Sequence, residues 1–210
     1  AVERELRGSV DQMTLCDIGC AVGVFPDYLQ KRFTDAKIIG CEFDAELRCA
    51  AEQSYPNVEF RAFDVMSRAS AAENSMDVAT VCGVLSIFDD PTPALTNLAY
   101  WVRPGGRVFI LNMFNPYDLD VYIKYKHSNE SVGSMLESGW NIISEKTIAK
   151  HLGSLAIKDF DFTPFNISVD LPHREDDPVR SWTTLQRDDS RDIVNGLNIR
   201  QPLQLLTIRL

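Results

Sequence analysis

Leu15-Cys16-Asp17-Ile18-Gly19-Cys20-Ala21-Val22-Gly23-Val24-Phe25 is a short apolar run that ends in small residues and then turns helix-like. It reads as a strand, a glycine loop and the start of a helix. Glycines at such a turn reach backbone conformations that other residues avoid, and they let a ligand touch bare main chain. Asp17 adds a carboxylate two residues before the first glycine, at a strand tip, where ligands of doubly wound sheets bind. That charge repels a pyrophosphate and attracts an ammonium or sulfonium group.

Similar runs without polar alternation lie at residues 13–18, 38–41, 58–62, 78–82 and 107–113, the pattern of parallel strands covered on both faces. Helical patterns separate them. Phe25, Leu29 and Phe33 recur every four residues behind Pro26, and Asp44 is placed to cap a helix that Pro56 must stop. Leu95, Leu98, Ala99 and Val102 form a stripe behind Thr92-Pro93, a cap with proline at the first helical position. Five βα units are expected, and Arg103-Pro104-Gly105-Gly106 reads as a turn feeding the fifth strand.

Past residue 113 the grammar changes. Val121, Ile123 and Tyr125 alternate with polar neighbours, Ser144 is placed to cap a helix to about Leu152, and alternating segments follow at 157–162, 165–171, 181–185 and 203–210. The expected fold is α/β and doubly wound, a mostly parallel sheet of seven-stranded type with helices on both faces and an antiparallel C-terminal extension. A single domain is expected over 1–210, with 13–113 binding a cofactor and 114–210 covering an acceptor.

Twenty-one Lys plus Arg against thirty Asp plus Glu give a net charge of −9, which repels a phosphate backbone. No apolar run approaches the length of a membrane span, and residues 1–12 alternate charges where a signal peptide would be apolar. A soluble, cytoplasmic protein that binds neither nucleic acid nor membrane is expected. Five cysteines without CxxC spacing argue against a disulfide framework or a zinc site, and Cys16, Cys41 and Cys82 read as small buried core residues.

Glu42 ends the second strand, where an acid can accept both ribose hydroxyl protons, and Asp64, after the third, can accept from an adenine amino group. Three carboxylates at three consecutive strand tips form a constellation. Asp17-Ile-Gly19-Cys20-Ala21-Val-Gly23 resembles the DxGxGxG first motif of class I S-adenosylmethionine-dependent methyltransferases, with Ala21 in place of the middle glycine. Glu42, Asp64-Val65, the stretch from Met76-Asp77-Val78 to Phe88-Asp89, and the Pro104-Gly105-Gly106 turn are similar to that family's later motifs.

The resemblance implies S-adenosylmethionine as cofactor and a small-molecule acceptor. By it, Asp17, Gly19, Cys20, Ala21, Gly23, Glu42 and Asp64 would hold the cofactor, Phe43 and Val65 would flank the adenine, and Cys82, Gly83 and Val84 would approach from strand four. On the acceptor side Asn115, Tyr117 and His127 are the candidate catalytic residues, amid Ser86, Phe88, Phe114, Tyr122, Trp140 and Trp182. His151 reads as structural. A hydroxyl acceptor, such as a sugar or a metabolite glycoside, suits aromatic and hydrogen-bonding residues without basic surface; no metal is expected.

Two matches are decoys. Asn115-Pro116-Tyr117 imitates an amine-gripping NPPY signature but follows strand five rather than strand four, and Tyr122-Ile-Lys-Tyr-Lys126 spells YxxxK in a stretch of period two. An NAD-dependent oxidoreductase stays open as an alternative, although Asp17 opposes a pyrophosphate and no catalytic tetrad accompanies the glycine turn. A catalytically silent cofactor-binding or partner module stays open as well.

Overall fold

The structure, a computed structural model, describes Leu6 and residues 12–210; the charged opening that was read against a signal peptide lies, apart from Leu6 and Gln12, outside the described residues. The chain runs β1 (Thr14–Ile18), α1 (Val24–Arg32), β2 (Lys37–Glu42), α2 (Ala45–Ser54), β3 (Glu59–Ala62), β4 (Met76–Cys82), α3 (Thr92–Trp101) and β5 (Val102–Asn115). It continues with β6 (Lys124–Tyr125), β7 (Glu137–Ser138), β8 (Ile143–Ser144), α4 (Glu145–Ser154), β9 (Asp159–Pro164), β10 (Trp182–Leu185), β11 (Arg191–Val194) and β12 (Leu203–Arg209).

The main sheet has the order β3-β2-β1-β4-β5-β12-β9, with β8 pairing at the tip of β5. The first five strands are parallel, and β12 enters antiparallel between β5 and β9. This is the doubly wound, mostly parallel sheet expected, with its antiparallel C-terminal extension. Successive strand residues point to opposite faces, and both faces are covered across β1, β2, β4 and β5; β3 is the sheet's outer strand, with Glu59, Arg61 and Ala62 exposed, and is not the doubly covered strand expected at 58–62. Leu15, Ile38, Val78 and Phe109 pack with Leu29 of α1 on one side. Cys16, Ile39, Ala79, Val108 and Ile110 pack with α3 and α4 on the other.

Local chemistry sets the helix ends. Asp44 caps α2 by accepting from Glu46 N at 2.8 Å and Leu47 N at 2.9 Å, and Ser144 Oγ accepts from Thr147 N at 3.1 Å at the head of α4. At α3 the expected cap is displaced: Thr92 is already helical, and Asp90 Oδ1 accepts from its N at 2.9 Å and its Oγ1 at 2.6 Å. Val102, read as the last residue of that stripe, ends the helix and opens β5.

Three further expectations are corrected. The β3–β4 connection contains a single 3₁₀ turn, Arg68–Ser70, where a fourth crossover helix was expected. Its thirteen residues, Phe63 to Ser75, must also form a cap-like turn around Asp64, so too few remain for a full helix. Residues 165–171 alternate but form no strand: β9 ends at Pro164, Phe165 N donates to Leu203 O at 2.9 Å, and the segment is next tied at Asp170 and Leu171, to Thr183 and Arg191. Cys82 is exposed at the tip of β4, whereas Cys16 and Cys41 are buried as expected. No helix among the described residues is long and apolar enough to cross a membrane.

β12 carries fully buried Leu206 and buried Ile208 into the middle of the sheet. Such side chains contribute about 1.5 to 3 kcal/mol each, comparable in sum with a domain stability of about 5 to 15 kcal/mol. Deleting residues 202–210 should leave insoluble or unfolded chain, checked by soluble yield and thermal melting; a soluble truncation with the parent's melting temperature would contradict the packing described.

Candidate active site

β1 to β4 end on one edge of the sheet, and that edge holds a cleft of about 560 Å³. Its wall brings together Gly19, Glu42, Phe43, Asp64, Val65, Cys82, Gly83 and Val84, all singled out from sequence. Ile18, Phe63, Met66, Ile87 and Phe88 complete it. Of these, Phe88 had been grouped with the acceptor, and the other four carry only apolar character, which the core shares.

The loop after β1 is shaped by what its glycines avoid. Gly19 has φ +74°, and a Cβ there would overlap the Val84 side chain. Gly23 has φ +84° and caps α1; a Cβ on it would stand 2.7 Å from Phe60 Cζ and 3.0 Å from Ala51 Cβ. Both positions require glycine. Ala21 between them adopts φ +46°. A left-handed L-residue is strained by about 1 to 2 kcal/mol, so something must hold it.

Glu42 does. Ala21 N donates to Glu42 Oε2 at 2.8 Å, and Asp44 N donates to Glu42 Oε1 at 2.9 Å. The carboxylate thus ties the glycine loop to the turn that caps α2, at 8% exposure and on the cleft wall. Each oxygen keeps a further lone-pair direction. Gly19 N and Cys20 N both donate to Cys41 O, at 2.8 and 3.1 Å, which fixes the start of the loop against β2.

Asp17 lies elsewhere than the sequence suggested. It is 3% exposed, absent from the cleft wall, and accepts from Thr80 Oγ1 at 2.7 Å. Burial lifts its pKa to about 7; the Thr80 bond opposes the rise and the charge of Glu42 adds to it. Burial, with the charge of Asp17 nearby, also pushes the Cys20 thiol up to about 12, so it is not a ready thiolate. Asp64 borders the cleft with Oδ1 accepting from Met66 N at 2.8 Å, and its backbone is held from both sides by the Ser70 hydroxyl. Phe43 is 73% exposed on the rim and Val65 is buried behind it.

The acceptor candidates are not gathered here. Asn115 folds its own turn, donating from Nδ2 to Leu119 O at 2.8 Å and accepting from Tyr117 N at 3.1 Å. Asn115 and Tyr117 line a second cavity beyond β5, and His127 packs edge-on to Tyr125, on the wall of neither. Ser86 and Phe114 are buried structural residues, Trp182 packs edge-on to His173, and His151 Nε2 lies 3.0 Å from Thr96 Oγ1 between α3 and α4.

Sequence reasoning missed Asn141, fully buried, which receives Ile123 N at Oδ1 and donates from Nδ2 to Phe88 O and Asp89 Oδ1, all within 3.0 Å. It pins the segment after β5 to the loop that carries Ile87 and Phe88. A lone asparagine in a loop gives no sign of that in sequence.

Residues 16–110 match a family model described as a methyltransferase domain. Over 192 residues the chain is 25% identical to malonyl-[acyl-carrier protein] O-methyltransferase of Halalkalibacterium halodurans, covering 89% of this chain and 67% of that protein. Over 106 residues it is 30% identical to ubiquinone biosynthesis O-methyltransferase of Serratia proteamaculans, covering 49% and 43% respectively. The matched stretch is thus two thirds of the first relative's length and well under half of the second's. An S-adenosylmethionine-dependent methyltransferase from Mesorhizobium loti shares the fold at TM-score 0.60 and 14% identity, over 100% of this chain and 98% of that one.

Two outcomes follow from this geometry. Ala21→Gly should raise unfolding free energy by about 0.5 to 1 kcal/mol in urea titration, because the left-handed strain is removed and only part of that gain is lost to a freer unfolded chain. Asp17 holds its proton more tightly folded than unfolded, so its contribution to stability is greatest at low pH and is lost as pH rises through about 7. Asp17→Asn lacks that loss; its stability relative to the parent should grow from pH 5 to 7 and level off by pH 8, and a constant difference would refute the assignment.

Proposed function

We propose that the chain is a class I S-adenosylmethionine-dependent methyltransferase that uses S-adenosylmethionine as its cofactor and methylates a hydroxyl oxygen of a polar small-molecule acceptor. The observation that carries the reading is Glu42: a carboxylate fixed by two backbone donors, with lone pairs left toward the cleft, is built to receive vicinal hydroxyls such as those of a ribose.

The bound cofactor supplies an electrophilic methyl group on a sulfonium. Glu42 holds the ribose, Asp64 accepts from the adenine amino group, and Phe43 and Val65 flank its ring. Gly19, Cys20, Ala21 and Gly23 present bare backbone to the amino-acid portion, and Cys82 and Gly83 close the strand-four side. Asp17, buried beside Thr80 and off the cleft wall, would attract the ligand's ammonium only through its charge, which it carries above about pH 7. In-line transfer disperses charge, so alignment in a dry pocket matters more than an oxyanion hole, and Phe63, Met66, Ile87 and Phe88 exclude water.

The acceptor side is assigned to Asn115, Tyr117 and His127 on the segment after β5, with 13–113 as the cofactor-binding part and 114–210 as the covering part of one domain. Oxygen is the acceptor in the names of both relatives above, which supports O-methylation. An acidic chain fits a free metabolite in the cytoplasm better than a nucleic acid or an anionic lipid surface.

Calorimetric titration with S-adenosylmethionine and S-adenosylhomocysteine tests the core of this reading. Each charge-assisted bond is worth about 1.5 to 3 kcal/mol, so Glu42→Ala should weaken both ligands by roughly tens to hundreds of fold. Glu42→Gln should retain part of the affinity, since its amide still offers one acceptor, but it faces one backbone N–H with another donor. Parent-like binding by Glu42→Ala, or a parent that binds NAD and neither sulfur ligand, would sink the assignment.

A further inference from the structure

The same edge of the sheet carries the second cavity, also about 560 Å³, formed where β5, β9 and β12 meet the β10–β11 hairpin. We propose that it is a glycosyl-binding subsite that seats a sugar of the acceptor; the proposal rests on the methyl-transfer reading above and assigns its substrate class.

Its lining has the make-up that pyranose rings require. Tyr117 and Phe165 offer exposed aromatic surface, to which the apolar C–H face of a sugar can stack. Arg200 pairs with Asp192 at 2.8 Å across Nε and Oδ1, and Arg191 lies on the same wall. A planar ion pair displays donors and acceptors side by side, which matches vicinal hydroxyls because each hydroxyl is both. Gln201 is 7% exposed; its Oε1 accepts from Ser181 Oγ at 2.9 Å while its buried Nε2 has no partner among the described residues. An unpaired buried amide is costly and is relieved by an acceptor such as a sugar oxygen.

Charge narrows the ligand further. Of the two arginines on this wall, Arg200 is paired with Asp192 and Arg191 with Asp170 at 2.6 Å, and Glu145 Oε1 accepts from Gln204 Nε2 at 2.7 Å. A wall whose positive charges are paired, on an acidic protein, gives a free carboxylate or phosphate no net attraction. It suits an uncharged polyhydroxyl group.

Position then sets the length of the acceptor. β12 is two strand steps from β4, about 10 Å at ordinary sheet spacing. A sugar seated here cannot itself bring a hydroxyl to the tip of β4, so the acceptor extends from this subsite into the cleft. It is a glycoside or an oligosaccharide, methylated on the ring or aglycone that the seated sugar carries.

Saturation-transfer NMR on the full chain, saturated with S-adenosylhomocysteine, tests this with methyl β-glucopyranoside, methyl β-galactopyranoside and methyl α-rhamnopyranoside as probes. Transfer to the ring protons of at least one probe is expected, reduced roughly tenfold in Tyr117→Ala and in Arg200→Ala through lost stacking and hydrogen bonding. Both side chains are exposed, so both variants should melt like the parent. Transfer to none of the probes, or transfer undiminished in both variants, overturns the subsite. Calorimetry with S-adenosylhomocysteine keeps the two readings apart: a parent that binds it but no glycoside loses only the subsite, and a parent that binds neither loses both.

Discussion

Both cavities hang on the β5 ladder. On one side β5 pairs parallel with β4, and on the other it pairs antiparallel with β12 over seven residues. Leu111 O receives Gly83 N at 2.8 Å and Asn112 Oδ1 receives Ser86 N at 3.2 Å, so β5 fixes the turn that leaves β4 and walls the cleft. Three residues beyond Leu111, Phe114 O receives Gln204 Nε2 at 3.1 Å and sets the start of β12 at the second cavity. With Phe109, Ile110 and Phe114 buried along it, the strand has no freedom to slide: a one-residue slip would turn these side chains to the wrong faces.

The parallel core was legible because each of its signals has one physical meaning. A four-to-seven-residue apolar run is too short for a helix and reads as a strand, although Val58-Glu-Phe-Arg-Ala62 became the exposed outer strand rather than one covered on both sides, and Asp44 or Ser144 before a helical stripe has few roles other than capping. Legibility failed where two meanings competed. Residues 165–171 alternate like a strand, but a strand needs a neighbour, and only the fold decides which edge is open. β11 was missed because Arg191-Asp-Ile-Val194 is short and half polar, and it is defined by its pairing with β10 and by the bridge of Val194 to Arg200.

The candidate site divides in the same way. Residues whose roles rest on backbone geometry, Gly19, Gly23 and Glu42, could be placed from spacing alone, because strand length fixes where each tip falls. Asp17 could be placed on β1 but not on a face. It alternates with Cys16 and Ile18, and the side that bears it proved to be the packed interior beside Thr80 rather than the open cleft. The positions of the acceptor candidates depend on how residues 115–143 fold back, and that path is decided by long-range ties such as Asn141 to Phe88, which leave no local pattern.

The antiparallel insertion of β12 also dictates an order of assembly. Its partners on β5 lie 90 to 102 residues earlier, and it separates β5 from β9 in the finished sheet. As the polypeptide leaves the ribosome, β1 to β5 can pair while the outer edge of β5 stands unfilled, with its N–H and C=O groups open to any other strand. β9 cannot take that place for long, since its own register is defined against β12. The nascent enzyme therefore passes through a stage with an apolar strand edge exposed until residues 203–209 have been synthesised, and that interval is when chaperone capture or mispairing between chains competes with closure.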